Sequence, residues 1–279
     1  MLRRTVLATP LLPLPVAAQE ARPIRLVIAF PPGGSTDALG RLLAPRVAER
    51  LAAPVVPENR AGASGAIAAG FVAQAAPDGQ TLLLDSGGQT VNPSLLRGLA
   101  FDYARDLAPV TRLATLPLVL VVRSDLGARD LAMLLARLRS EPRLARYGSV
   151  GVGARTHLAM AALMRRAGIA AEHIPYRGGA DQIQGLLRGD VPMGFTSVAL
   201  AAPLLGEGRL RALALSSAAR SPALPDLPSI AEQGFAGFAF GDWLGLFVPS
   251  GTPRPVIARL AEVAAAAMGE PSLAPRLTG

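Results

Sequence analysis

Apolar residues along this chain gather in short dense runs separated by segments of helical spacing. Residues 25–30 form a compact apolar run with β-branched members, bounded by Pro23 and by Pro31-Pro32-Gly33-Gly34, and predict a buried first strand. Leu39, Leu42, Leu43, Val47 and Leu51 then recur at helical spacing, with Ser35, Thr36 or Asp37 available as a cap. Pro45 inside this pattern predicts a kink or a shortened helix. Residues 54–57 read as a second strand, the Gly/Ala-rich stretch 62–76 as a closely packed helix, and 81–84 as a third strand running into Asp85-Ser86-Gly87-Gly88. This β-α-β-α-β alternation implies a largely parallel sheet with helices on both faces. Ligands of such sheets bind beyond the carboxyl ends of the strands, where the glycine-rich turns lie.

Residues 110–122 are a long apolar stretch interrupted by Pro117, suited to crossing from one lobe to another. A second alternating unit follows: helix 130–139, strand 146–150, helix 156–166 closed by Gly168, strand 174–176, helix 182–188, and strands 191–196 and 210–215. Residues 243–248 predict a return to the first lobe, and the Ala-rich 254–268 a last helix. Two similar sheet units with two crossings predict two α/β lobes around a hinged cleft. The expected division is 19–121 for lobe 1, 122–242 for lobe 2, and 243–279 packing back on lobe 1.

Composition narrows the function. The 279 residues have no cysteine and only two histidines, His157 and His173, so disulfides, thiolate metal sites and multi-histidine metal centres are excluded. All 28 basic residues are arginines against 20 acidic ones, a net charge of +8 that leans towards anionic partners. The arginines form no long run and no aromatic ladder interleaves them, which argues against nucleic acid. At the start, Arg3-Arg4 precede the uncharged residues 5–18, which end in small side chains. That is the pattern of a secretory signal peptide over 1–18, with a twin-arginine-like variant leaving the export route open. No later stretch reaches the ~20 uninterrupted apolar residues of a membrane span.

Three loops carry candidate chemistry, each following a predicted strand. Phe30-Pro31-Pro32-Gly33-Gly34-Ser35-Thr36-Asp37 is a glycine turn opening a helix, where backbone N–H groups and the helix end favour an anion. The phosphate-loop spacing is absent, so a carboxylate fits better than a phosphate. Gly151-Val152-Gly153-Ala154-Arg155-Thr156-His157 repeats the device in the second unit: Arg155 either pairs with a carboxylate or is solvated, and His157 is either a ligand contact or a packed helix residue. Asp85-Ser86-Gly87-Gly88-Gln89-Thr90 is the third. Catalysis has little support. No G-x-S-x-G elbow occurs, and nothing selects a serine and an aspartate to join His157 in a triad. No metal and no cofactor are expected.

These stretches together resemble the tripartite tricarboxylate transporter receptors, the Bug family of periplasmic solute-binding proteins. The resemblance runs from Ile24 to about Leu277. It rests on residues 30–37, on Val55-Val56-Pro57-Glu58-Asn59-Arg60-Ala61-Gly62-Ala63, Ala76-Pro77-Asp78-Gly79 and Asn92-Pro93-Ser94-Leu95, and on His173-Ile174-Pro175-Tyr176-Arg177-Gly178. Further on it includes Leu210-Arg211-Ala212-Leu213-Ala214, Arg220-Ser221-Pro222-Ala223-Leu224-Pro225-Asp226 and Pro249-Ser250-Gly251-Thr252-Pro253. It implies a type II periplasmic binding protein fold, an expected monomer that closes on a small carboxylate in the periplasm and passes it to a membrane permease. The implied ligand-binding residues are Pro32, Gly33, Gly34, Ser35, Asp37, Ser86, Gly88 and Gln89 in lobe 1. In lobe 2 they are Gly153, Arg155, Thr156, His157, Thr196 and Ser197. The family commonly has a small hydroxyl residue at the place of Arg155 and an aspartate at that of Thr196. Both departures point the expectation towards a ligand with two acidic groups, such as a dicarboxylate, held partly by Arg155. A sensory protein that presents its solute to a membrane histidine kinase would need the same ligand-gated closure, and an esterase-like enzyme is a more distant alternative.

Overall fold

A computed structural model describes residues 22–271 and 273, so the expected signal peptide lies outside the described residues. The first unit runs β1 (Ile24–Ile28), α1 (Ser35–Leu51), β2 (Val55–Asn59), α2 (Ala66–Ala73), β3 (Thr81–Ser86), α3 (Gly88–Leu95) and the single turn α4 (Tyr103–Asp106). A 17-residue strand, β4 (Leu107–Arg123), leads into the second unit. That unit comprises α5 (Leu131–Ser140), β5 (Arg146–Ser149), α6 (Arg155–Ala167), β6 (Glu172–Pro175), α7 (Gly179–Arg188), β7 (Met193–Ser197), α8 (Val198–Gly206) and β8 (Leu210–Leu215). β9 (Gly241–Pro249) and α9 (Arg254–Met268) return to the first.

The apolar runs become strands because both of their faces are covered. In β1, Leu26 and Ile28 pack with α1 and α9, while Val27 and, just past the strand, Ala29 face α2 on the opposite side. β4 repeats the alternation: Leu118, Leu120 and Val122 join the α5 and α6 side, and Val119 and Val121 the α7 and α8 side. Each lobe therefore has two cores separated by its sheet.

The sheets are mixed, whereas the sequence suggested a largely parallel one. β1 pairs in parallel with β2 and β3, and β5 with β6 and β7. The crossing strands run the other way: β9 pairs antiparallel with β3 and with residues 107–117 of β4, and β7 and β8 pair antiparallel with residues 118–123. One strand thus serves two sheets, changing from the first to the second between Pro117 and Leu118. The chain comes back at Gly241, and these two crossings are the covalent hinge. The result is the two-lobe α/β fold of type II periplasmic binding proteins.

Local differences have local causes. α1 continues through Pro45, because the loss of one backbone hydrogen bond is offset by Leu39, Leu43 and Val47 buried along one face. The helix expected over 62–76 starts only at Ala66. Gly62, Ala63, Ser64 and Gly65 all have positive φ, and the Asn92 amide donates to the Ser64 carbonyl, holding these residues as a loop. The loop expected after Ser86 is instead helical over α3, despite Pro93.

Candidate functional site

The carboxyl ends of the strands and the amino ends of the helices that follow them face one another across the cleft. Ser35 Oγ of lobe 1 lies 2.7 Å from Ser197 Oγ of lobe 2. Ser64 Oγ donates to the Val152 carbonyl at 2.5 Å, and Arg155 Nη2 donates to Thr90 Oγ1 at 3.3 Å. The lobes are closed on one another.

Between them, next to the hinge, lies an inner cavity of about 60 Å³. Gly34, Ser35 and Thr36 reach it from the start of α1, Thr156 from α6, Gly179 from α7 and Ser197 from α8, with Ser86 from the end of β3 and Thr196 from β7. Phe30, Leu116, Leu118, Val150 and Leu200 supply apolar wall, and Asp242 stands at the start of β9. The α1, α6 and α7 starts have no side-chain cap, so their first N–H groups remain available. The Ser197 hydroxyl caps α8, and Thr156 Oγ1 accepts from Val150 N, which leaves its own proton free to donate. Thr196 Oγ1 is buried and has no partner among the described residues. Four helix dipoles and these hydroxyls give a positive, donor-rich hole without any arginine in its wall. Phe30 and Val150 also border a wider outer chamber of about 600 Å³, mostly apolar, with Tyr176 and Arg177 at its edge.

Six of the sequence-predicted residues converge on the inner cavity: Gly34, Ser35, Ser86, Thr156, Thr196 and Ser197. The others act behind the wall or beside it. Gly33, at φ 84, gives its N–H to the Asp37 carboxylate, which also accepts from Arg41 and Asn59 and so shapes the turn from behind. Pro32 lies on the outer side of that turn. Gln89 donates to the buried Asp85, and Gly88 packs against the Ser64 carbonyl. Gly153 donates to His157 Nδ1. Arg155 needs the plainest correction. Its guanidinium is turned to Gly87, Thr90 and Asp242 across the lobe junction and not into the cavity, so it is not placed to hold a second acid there.

Sequence reasoning missed Asp242, Thr36, Gly179, Leu116 and Leu118 as wall residues. Asp242 left one usable signal, a charge beside a glycine at the start of a buried return strand. Its burial raises its pKa, against the opposing pull of the Gly87 and Trp243 N–H groups and the Arg155 charge. Asp85, fully buried behind Ser86, is pushed up to about 7 by desolvation, with hydrogen bonds from Ser86 and Gln89 opposing and the Asp242 charge adding to the rise.

Under the Gly151–Gly153 turn the two histidine rings stack at 3.9 Å. Gly153 N donates to His157 Nδ1 at 3.1 Å, which fixes that nitrogen as an acceptor, and His173 Nε2 bonds Ser149 Oγ at 2.6 Å. Burial lowers both pKa values, that of His173 from 6.5 to about 4 with the His157 charge as the second cause. Below pH 6.5 the unfolded chain takes up a proton that the folded one refuses, so this contribution to stability is lost as pH falls from 6.5 towards 4. His173→Gln should flatten the dependence in that window. Thermal midpoints of wild type and variant at several pH values check this, and parallel curves would refute it. Asp85, whose contribution runs the opposite way, cancels in the comparison.

Two α/β lobes hinged by two strands and closed on a donor-lined cavity define a periplasmic solute-binding receptor. The chain belongs to the tripartite tricarboxylate transporter family receptors, whose model matches residues 39–279. Among its relatives, the protein of the tcbD-tcbE intergenic region of a Pseudomonas species is 41% identical over 87% of this chain and 73% of its own length. Protein BugT of Bordetella pertussis is 36% identical over 91% of this chain and 79% of its own. Among solved structures, an R. palustris protein with adipate superposes with a TM-score of 0.88 at 34% identity, covering 92% of this chain and 86% of that one. MatC from Rhodopseudomonas palustris with bound malate gives 0.86 at 32%, covering 95% and 89%. The chain is thus a periplasmic solute-binding protein of that family.

Proposed function

We propose that this receptor captures a small carboxylate, including dicarboxylates, and presents it to the membrane permease subunits of a tripartite transporter, after export by the Sec or twin-arginine route. The observation that carries the ligand class is the inner cavity itself: four helix starts and a ring of hydroxyls converge where no cation stands. A carboxylate there takes hydrogen bonds from both lobes, so binding and closure become one event. Its body extends past Phe30 and Val150 into the outer chamber. Two of the similar solved structures hold adipate and malate, both of this class.

Thermal shift and calorimetry with adipate, malate and mono-, di- and tricarboxylates of graded length test the reading. A ligand at a hundredfold its Kd stabilises by about 2.7 kcal/mol, which in a chain of this size raises Tm by roughly 5–10 °C. Binding of neutral sugars or of amines that lack a carboxylate, with no response to any carboxylate, would overturn it.

A further inference from the structure

One ionisable side chain lines the inner cavity, and it carries the wrong sign for an anion hole. Asp242 Oδ1 accepts from Gly87 N at 3.0 Å and from Trp243 N at 2.9 Å, and the Arg155 guanidinium acts on the same carboxyl group. Both backbone donors converge on one oxygen, so that oxygen is committed. Oδ2 accepts no hydrogen bond among the described residues, and the residue borders the cavity. In the same wall the Thr196 hydroxyl is 1% exposed and also unpartnered. The hole therefore offers donors at the helix starts together with an acceptor that has nothing to accept.

A ligand presenting only a carboxylate satisfies the donors but sits beside the like charge of the half-buried Asp242, which weakens its binding. A ligand with a hydroxyl or ammonium beside its carboxylate satisfies both. Asp242 and the helix starts line the same small cavity, so a donor on the carbon next to the carboxylate falls within reach of both. We infer that Asp242 is the specificity-determining residue of this receptor and selects carboxylates bearing a hydroxyl or ammonium on the adjacent carbon. The inference rests on the carboxylate reading of the cavity.

The substitution Asp242→Asn gives a sharp test, because the two backbone N–H groups require the amide oxygen to replace Oδ1. The amide nitrogen then takes the place of Oδ2, and an acceptor becomes a donor. Calorimetry on the full chain would use three matched series: succinate, malate and aspartate; adipate, α-hydroxyadipate and α-aminoadipate; phenylpropionate, phenyllactate and phenylalanine. In a series that binds, the wild type should prefer a substituted acid over its unsubstituted partner by about tenfold or more. Asp242→Asn should shrink that ratio to about threefold or less and tighten binding of the unsubstituted acid. Equal wild-type affinities within every binding series would overturn the role of Asp242 while leaving carboxylate capture intact, as would a ratio that survives the substitution. If no acid of any series binds the folded wild type, the carboxylate reading falls and this inference with it. The wild-type comparison stands alone should the variant fail to fold.

Discussion

Ser197→Asp should abolish ligand binding while leaving the unliganded protein as stable as the wild type. Ser197 ends β7 and caps α8, its hydroxyl accepting from Leu200 N at 3.4 Å. Aspartate is an equally good N-cap, and its charge is favoured at a helix start, so the fold has no reason to weaken. Its second carboxylate oxygen, however, enters the cavity beside Ser35, 2.7 Å from the present hydroxyl, and occupies the anion hole from within. A ligand carboxylate about 4 Å away meets about 4 kcal/mol of repulsion at an effective dielectric near 20. That corresponds to roughly a thousandfold loss of affinity. Ser197→Asn keeps the cap without the charge and should bind within about tenfold of wild type. Calorimetry of the three proteins, with Tm measured unliganded, separates charge from bulk. An aspartate variant that binds within tenfold of wild type would remove Ser197 from the site.

Asp37→Ala should lower stability and affinity together, although Asp37 does not line the cavity. Its carboxylate is 4% exposed and accepts from Gly33 N at 3.0 Å, Arg41 Nε at 3.0 Å and Asn59 Nδ2 at 2.8 Å. Burial alone would raise its pKa, yet the hydrogen bonds from Arg41, Asn59 and Gly33 and the Arg41 charge outweigh it and hold the group below its ordinary 3.8. Removing the carboxylate takes the partner from the Gly33 N–H and from one of the two Asn59 amide hydrogens, the other keeping the Phe30 carbonyl, at about 3 kcal/mol in total with the Arg41 pair, or a Tm lower by roughly 6–12 °C. The Gly33 turn that aims the start of α1 then loosens, and carboxylate affinity should fall by about tenfold or more. The folded-state pKa is depressed, so the stabilisation is present above 3.8 and is lost as pH falls through the folded value. The wild-type advantage in Tm should accordingly shrink only in that acid range. An unchanged Tm at pH 7 would refute the account.

The chain's own order of residues was enough to read most of the architecture. Dense apolar runs, each ended by a glycine turn, mark strands covered on both faces. β8 and α9 fall where the apolar pattern placed them, and β1, β5 and β7 within a few residues. The glycine turn before α1 was legible as a part of the cleft wall because strand, glycine and helix start follow one another in sequence. Local chemistry needs no distant partner to be recognised.

What depended on distance in the chain was not legible. Arg155 follows a glycine turn and reads as a ligand contact, but its side-chain direction is set by Gly87, Thr90 and Asp242, residues from parts of the chain that meet only when the lobes close. Asp37 reads as an anchor beside Ser35, yet Asn59 at the end of the neighbouring strand turns its carboxylate away. Asp242 shows in sequence only as a charge beside a glycine at the start of the return strand. It enters the cavity because β9 pairs antiparallel between β3 and β4, which brings the start of the return strand to the strand ends of lobe 1. Each glycine turn is thus a property of consecutive residues, whereas their meeting in one cavity, and the carboxylate in its wall, are properties of pairing and packing between segments more than a hundred residues apart.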